Sequence, residues 1–141
     1  MPDWNKFVEG HLIGIKVYQA DKVAVLSLQE PAGKGWLLTA TEVSEFMVLQ
    51  MRMQNIIDRI SIWNATSNDI DYRSKLYSLI HGKSVEGKDD LNSPVINKAV
   101  ETIQRGDAVL IELEPVYGAL VLILAKEVSL TESHGEAQGQ F

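Results

Sequence analysis

The stretch that decides the fold is GWLLTATEVSEFMVLQMRMQNIIDRISIW, residues 35–63. Trp36, Leu37 and Leu38 read as a short strand leaving EPAGKG (30–35), which its Pro and Gly mark as a loop. Thr39 and Glu42 have the T-x-x-E spacing of a capping box, in which a hydroxyl and a carboxylate each satisfy an orphan amide at a helix start. Leu38 and Val43 flank it as a hydrophobic staple. From there Val43, Phe46, Leu49, Met53, Ile56, Ile60 and Trp63 recur at helical spacing; Met47 and Ile57 widen the stripe, and Val48, Met51 and Ile62 lie off it. The spacing predicts a helix over 40–63. A helix apolar on several sides needs cover, from a partner subunit or from the C-terminal elements.

Working outward, HLIGIKVYQA (11–20) and KVAVLSLQE (22–30) alternate as strands around a turn at 20–22. In the first, Leu12, Gly14, Lys16 and Tyr18 are expected on one face and Ile13, Ile15 and Val17 on the other. In the second, Val23, Val25 and Ser27 oppose Ala24, Leu26 and Leu28. Beyond NATSND (64–69) a second helix is expected at 69–81, with Tyr72, Leu76, Leu79 and Ile80 inward. Ser93-Pro94 opens a third in the N-cap and N1 roles, and Gly106 ends it. Its buried face is Ile96, Ala99, Val100 and Ile103. DAVLIELE (107–114) and ALVLILAKEV (119–128) read as the last strands. Val109, Ile111 and Leu113 point inward there, with Glu112 and Glu114 outward. The last strand is apolar on both faces, which places it centrally or at an interface. Residues 129–141 have few apolar groups and are expected to form a flexible acidic tail.

The 141 residues suit one domain with a sizeable core. A net charge of −6 argues against coating duplex DNA through bulk positive charge. The acids concentrate late, so residues 1–40, with four lysines against four acids, can still present a local basic patch. The absence of cysteine excludes disulfides and thiolate metal sites. His11, His81 and His134 are far apart, and neither metal nor cofactor is expected. The N-terminus lacks the pattern of a signal peptide, and the longest apolar run, 119–125, is too short to span a bilayer as a helix. The expected location is the cytoplasm of a bacterium or of a viral host.

Candidate chemistry is sparse. Gly33-Lys34-Gly35 lacks the spacing of a phosphate-binding loop. Glu42 with Glu45, Asp69 with Asp71, and Asp89 with Asp90 read as capping or solvated carboxylates rather than acid–base pairs. No nucleophile signature is present, and nothing calls for an enzyme. Lys16, Tyr18, Lys22, Lys34 and Trp36 interleave cations with rings on the early strands. That combination suits a single nucleic-acid strand, with cations on the phosphates and rings stacked on unpaired bases. The plainer alternative is an ordinary half-exposed sheet face. Glu127, Glu132 and Glu136 precede the terminal Phe141, a tail of the kind that offers its last ring to protein partners.

The order strand, strand, strand, capped helix at 12–63 resembles the positive-cofactor-four family of transcription coactivators. The resemblance is carried by Gly33-Lys34-Gly35, Trp36-Leu37-Leu38 and Thr39-Ala40-Thr41-Glu42. It implies a curved antiparallel sheet backed by a helix, dimerisation through helices and sheet edges, and single-stranded DNA on the sheet. Lys34 matches the family's DNA-contacting lysine, and Lys16 and Lys22 match as strand or turn lysines. The chain departs from the family in its added C-terminal half and its acidity. It also shows no fourth strand before the helix, unless residues 4–10 or the C-terminal strands supply one.

These readings converge on one α+β domain over 1–128: an antiparallel sheet backed by helices, in a homo-oligomer formed through the helix at 40–63. It divides into a strand-strand-strand-helix unit (12–63) and a helix-helix-strand-strand unit (69–128). The leading function is single-stranded DNA binding in replication, recombination or transcription, in a phage or its host. The alternative is an acidic protein-binding module regulating a nucleic-acid machine through Asp107, Glu112 and Glu114.

Overall fold

The computed structural model describes residues 2–67 and 72–133. A short 3-10 helix at Trp4–Phe7 precedes strands β1 (His11–Tyr18), β2 (Val23–Gln29), β3 (Gly35–Leu49) and β4 (Ile56–Trp63). Helices α1 (Arg73–His81) and α2 (Pro94–Gln104) follow, then β5 (Val109–Tyr117) and β6 (Leu120–Glu132). All neighbouring strands are antiparallel, and the sheet closes on itself in the order β1-β2-β3-β6-β5-β4. No described helix is long and apolar enough to cross a membrane.

The helix expected at 40–63 is not formed. Two long strands and a loop occupy that stretch, and Thr39, the expected cap, pairs with Val25 and Ser129 in mid-strand. The reason lies in the spacing of the inward residues of β3: Trp36, Leu38, Ala40, Val43, Phe46 and Val48. A flat strand would step by two throughout. Here the step lengthens to three where Glu42 enters the left-handed region (φ 48°), and again at the register shift between Val43 and Glu45. A bulge adds one residue to the strand. The left-handed kink at Glu42 and the bulge that follows it together turn a period of two into the i, i+3 spacing of a helix. β4 repeats the effect, with a register shift between inward Ile57 and Ile60. An interface through a 40–63 helix is thereby ruled out, as is the strand-strand-strand-helix unit at 12–63.

The C-terminal strands complete the sheet: β6 pairs with β3 and β5 with β4, so both halves of the chain build one barrel. β6 is apolar on both faces because Val121, Ile123 and Ala125 fill the barrel while Leu122 and Leu124 face the helices. The helices cover the outside of the barrel over Met47, Leu110, Leu122 and Trp63 with Leu76, Leu79, Ile96, Val100 and Ile103. Both helix ends follow local rules. Ser93 Oγ accepts from the Ile96 amide (3.4 Å), and Gly106 adopts φ 85° just past α2. The expected start of α1 at 69–71 lies outside the described residues.

Two expectations need smaller corrections. A register shift between Leu12 and Gly14 puts Leu12 on the same inward side as Ile15, leaving Lys16 and Tyr18 outward. Residues 129–132, assigned to the tail, continue β6 opposite Trp36–Thr39, and 134–141 lie outside the described residues. Residues 4–10 supply no strand; the 3-10 helix instead sets buried Phe7 beneath the barrel. The seam between β1 and β4 closes through Glu9 and Gly10 backbone bonds to Ile57 (both 2.9 Å). Gly10 is required there, since a Cβ would lie 2.3 Å from the Gln29 carbonyl oxygen.

Candidate functional site

The structure divides the five predicted nucleic-acid contacts into two groups. Lys16 and Tyr18 lie exposed on the outer face of β1, with the Lys16 ammonium 5.3 Å from the ring centroid. Lys22 sits in the adjoining hairpin turn with φ 55°. Tyr18, Lys22, Val43, Glu45 and Phe46 line a small cleft of about 190 Å³ beside that turn. Tyr18 stands level with Val23, whereas Trp36 stands level with Leu28, about 17 Å away along β2.

Trp36 also faces the other way. It packs toward the barrel interior, edge-on to Phe7 (6.4 Å, 88°). Its indole N–H donates to Glu30 Oε2 at 2.6 Å, and the Lys6 ammonium lies 3.4 Å from its centroid. Lys34 is held by Glu132 at 2.7 Å, and that hydrogen bond raises the pKa of its ammonium. Lys34 and Trp36 therefore belong to the floor of the barrel, while Lys16, Tyr18 and Lys22 belong to its outer wall. Strand parity joined Lys16 to Tyr18 correctly; the closure of the sheet separated Trp36 from both.

The acidic surface of the alternative reading is occupied internally. Glu112, with 8% of its side chain exposed, accepts from Lys75 of α1 at 2.9 Å. Glu114 accepts from Arg59 at 2.9 Å, a hydrogen bond that raises the guanidinium pKa, and Asp107 pairs with Arg105 at 3.2 Å. The cleft of about 470 Å³ between Arg59, Ser61, Lys75 and Glu112 thus carries matched charges. Among the described residues no group of three or more His, Asp or Glu could hold a metal ion.

A third surface escapes sequence reasoning. The loop 50–55 between β3 and β4 and the 115–118 stretch leading from β5 into β6 meet where Ile56 pairs with Tyr117 and Leu49 with Leu120. Asn55, 2% exposed, holds them together. Its Oδ1 accepts from the amides of Arg52 (3.0 Å) and Ala119 (2.9 Å), and its Nδ2 donates to the Arg52 carbonyl (2.8 Å). Gly118, with φ 93°, comes so close to Asn55 that a Cβ would lie 2.4 Å from Oδ1. On this fixed frame Met53 is wholly exposed and Tyr117 half exposed, beside exposed Leu49, Met51 and Val116. The Arg52 guanidinium lies 5.3 Å from the Tyr117 ring centroid. Ile13, also exposed, shares a cleft with Met53 at the β1 seam. The one sequence signal was Gln54-Asn55, a polar break inside an apolar stripe, masked by assigning Leu49 and Met53 to a helix face.

Comparison with protein-family models, with curated proteins and with solved structures found no match. The layout that resembles the positive-cofactor-four family lacks its helix here, since strand continues through Glu42.

Proposed function

We propose that this chain is a protein-binding module that docks a partner protein on the corner formed by the 49–55 loop and the 115–118 hairpin. Met53 carries the reading: a fully exposed apolar side chain on a loop that Asn55 fixes. Apolar side chains clustered in water favour burial by a partner. A loop already fixed loses little entropy on docking, and methionine adapts to irregular surfaces. Arg52 forms no ion pair among the described residues, so the complementary surface is apolar with a carboxylate beside it. Burying Met53 is worth about 1.5–3 kcal/mol, or roughly 10–150-fold in affinity.

The test places a photo-crosslinking residue at position 53 in living cells, with Glu86 as the control site, and identifies the adducts. A purified adduct partner should bind Met53→Asp at least 10-fold more weakly than wild type. Adducts identical to those from position 86, or equal affinity for both proteins, refute the proposal. A dimer of this chain that Met53→Asp abolishes would give the corner to a second copy and overturn the hetero-partner reading.

Single-stranded DNA binding keeps one supporting observation, the exposed Lys16–Tyr18 pair with Lys22 at the same hairpin. Two lysines and one ring, beside Asp21 and Glu45, offer one stacked base and little net positive charge. Anisotropy of a labelled oligonucleotide at two salt concentrations decides: tight binding that falls steeply with salt restores this reading.

A further inference from the structure

We infer that the outer edge of β6 over Lys126–Leu130 takes up an extended, apolar and basic peptide segment from another protein by strand addition. β5 pairs with β6 only as far as Val109 opposite Ala125, whereas β3 continues to Trp36 opposite Glu132. Among the described residues, β6 beyond Ala125 therefore has a strand neighbour on one side alone. The Ser133 amide donates to the Gly35 carbonyl (3.0 Å), and the register runs unbroken from Glu132 back to Glu127. Antiparallel ladders alternate, so Glu127, Ser129 and Thr131 bond to β3, and Val128 and Leu130 turn their N–H and C=O groups outward. Among the described residues nothing pairs with those outward groups.

Beside this edge lies a groove of about 290 Å³ walled by Trp4, Ile62, Val109 and Val128, with Lys126 and Glu127 at its rim. The Trp4 indole N–H is buried and without a partner among the described residues. Lys126 is already paired with Glu42 (3.5 Å), while Glu127 has no ion-pair partner among the described residues. One extended segment satisfies each of these features. Its backbone pairs with Val128 and Leu130, an apolar side chain enters the groove, a carbonyl accepts from Trp4, and a Lys or Arg meets Glu127. A second copy fits less well, because each chain brings a net charge of −6. The site is separate from the Met53 corner: Val128 lies about 26 Å along β6 from Leu120.

The test begins with amide hydrogen exchange on the full chain by NMR. The Val128 and Leu130 amides should exchange at least ~100-fold faster than those of Glu127, Ser129 and Thr131. A random decapeptide display library is then selected on wild type and counter-selected on Leu130→Pro, which removes one outward N–H. Enriched peptides, synthesised and labelled, should alternate apolar residues and carry Lys or Arg. They should bind Leu130→Pro at least 10-fold more weakly and Trp4→Phe several-fold more weakly. They should slow exchange at Val128 and Leu130, and bind Met53→Asp as they bind wild type. Equal protection of all five amides in the free protein, no enriched peptide, or equal affinity for Leu130→Pro overturns the proposal. So does a dimer of this chain that Leu130→Pro dissociates. Should Leu130→Pro fail to fold, Trp4→Phe and the exchange pattern decide.

Discussion

Replacing Asn55 with Ala removes the clasp between the 49–55 loop and the hairpin. Three hydrogen bonds are lost, and the groups left behind differ in cost. The Ala119 amide is buried, and an orphaned buried donor costs about 1–3 kcal/mol. The Arg52 amide and carbonyl lie on an exposed loop and regain water, at about 0.5 kcal/mol each. The sum, about 2–4 kcal/mol, corresponds to a melting point lower by roughly 5–15 °C in a chain of this length. Urea denaturation gives the free energy directly and shows through an unchanged m-value that the transition stays comparable. Asn55→Asp sharpens the test. It keeps the shape and both acceptor contacts but sets a second oxygen against the Arg52 carbonyl. Burial and that oxygen push the carboxyl pKa in the folded state above its unfolded value of about 3.9, against the opposing pull of the two amides that donate to the other oxygen. The penalty is then complete above the raised pKa and shrinks as pH falls through it. A cost below 0.5 kcal/mol for Asn55→Ala, or a pH-independent cost for Asn55→Asp, would show that the clasp does not fix the loop.

Other consequences concern the helix layer. Lys75→Met leaves the Glu112 carboxylate, 8% exposed, without its cation, and should cost about 2–3 kcal/mol by urea denaturation. That is less than a fully buried pair, because Lys75 is itself a third exposed; the double variant Lys75→Met/Glu112→Leu should return to within about 1 kcal/mol of wild type. Burial raises the Tyr72 phenol pKa above 10.0, so folding favours its neutral form. The resulting stability is whole below pH about 10 and is lost as pH rises through the folded value. Thermal melts between pH 8 and 11 should fall more steeply for wild type than for Tyr72→Phe.

Local rules were legible in the sequence wherever neighbouring residues settled the outcome. Ser93-Pro94 and Gly106 mark the ends of α2 because caps and a left-handed terminal residue act within one turn. The alternation of β5 gave the inward residues Ile111 and Leu113, and that of β2 set Leu26 and Leu28 on one face, which the barrel buries. The 35–63 stretch misled because a left-handed residue at Glu42 and a bulge at Val43/Glu45 lengthen the apolar step. Both serve a curvature that only the closed barrel imposes. The predicted site residues fall into two groups for a related reason. Parity assigns faces within one strand, but not which way the indole of Trp36 turns once Phe7 and Lys6 arrive from the N-terminus.

By itself the sequence determined an α+β domain rich in antiparallel strands, the two helices after residue 72, and an apolar final strand that had to lie centrally or at an interface. These follow from hydrophobic period and capping, which act over a few residues. Only the tertiary structure decided that the sheet closes with β6 between β3 and β5, and that Glu112 and Glu114 are neutralised by Lys75 and Arg59. It alone left Met53 and the Val128–Leu130 edge uncovered among the described residues. Exposure and pairing depend on which distant segments arrive to cover a residue, and side-chain period carries no record of that.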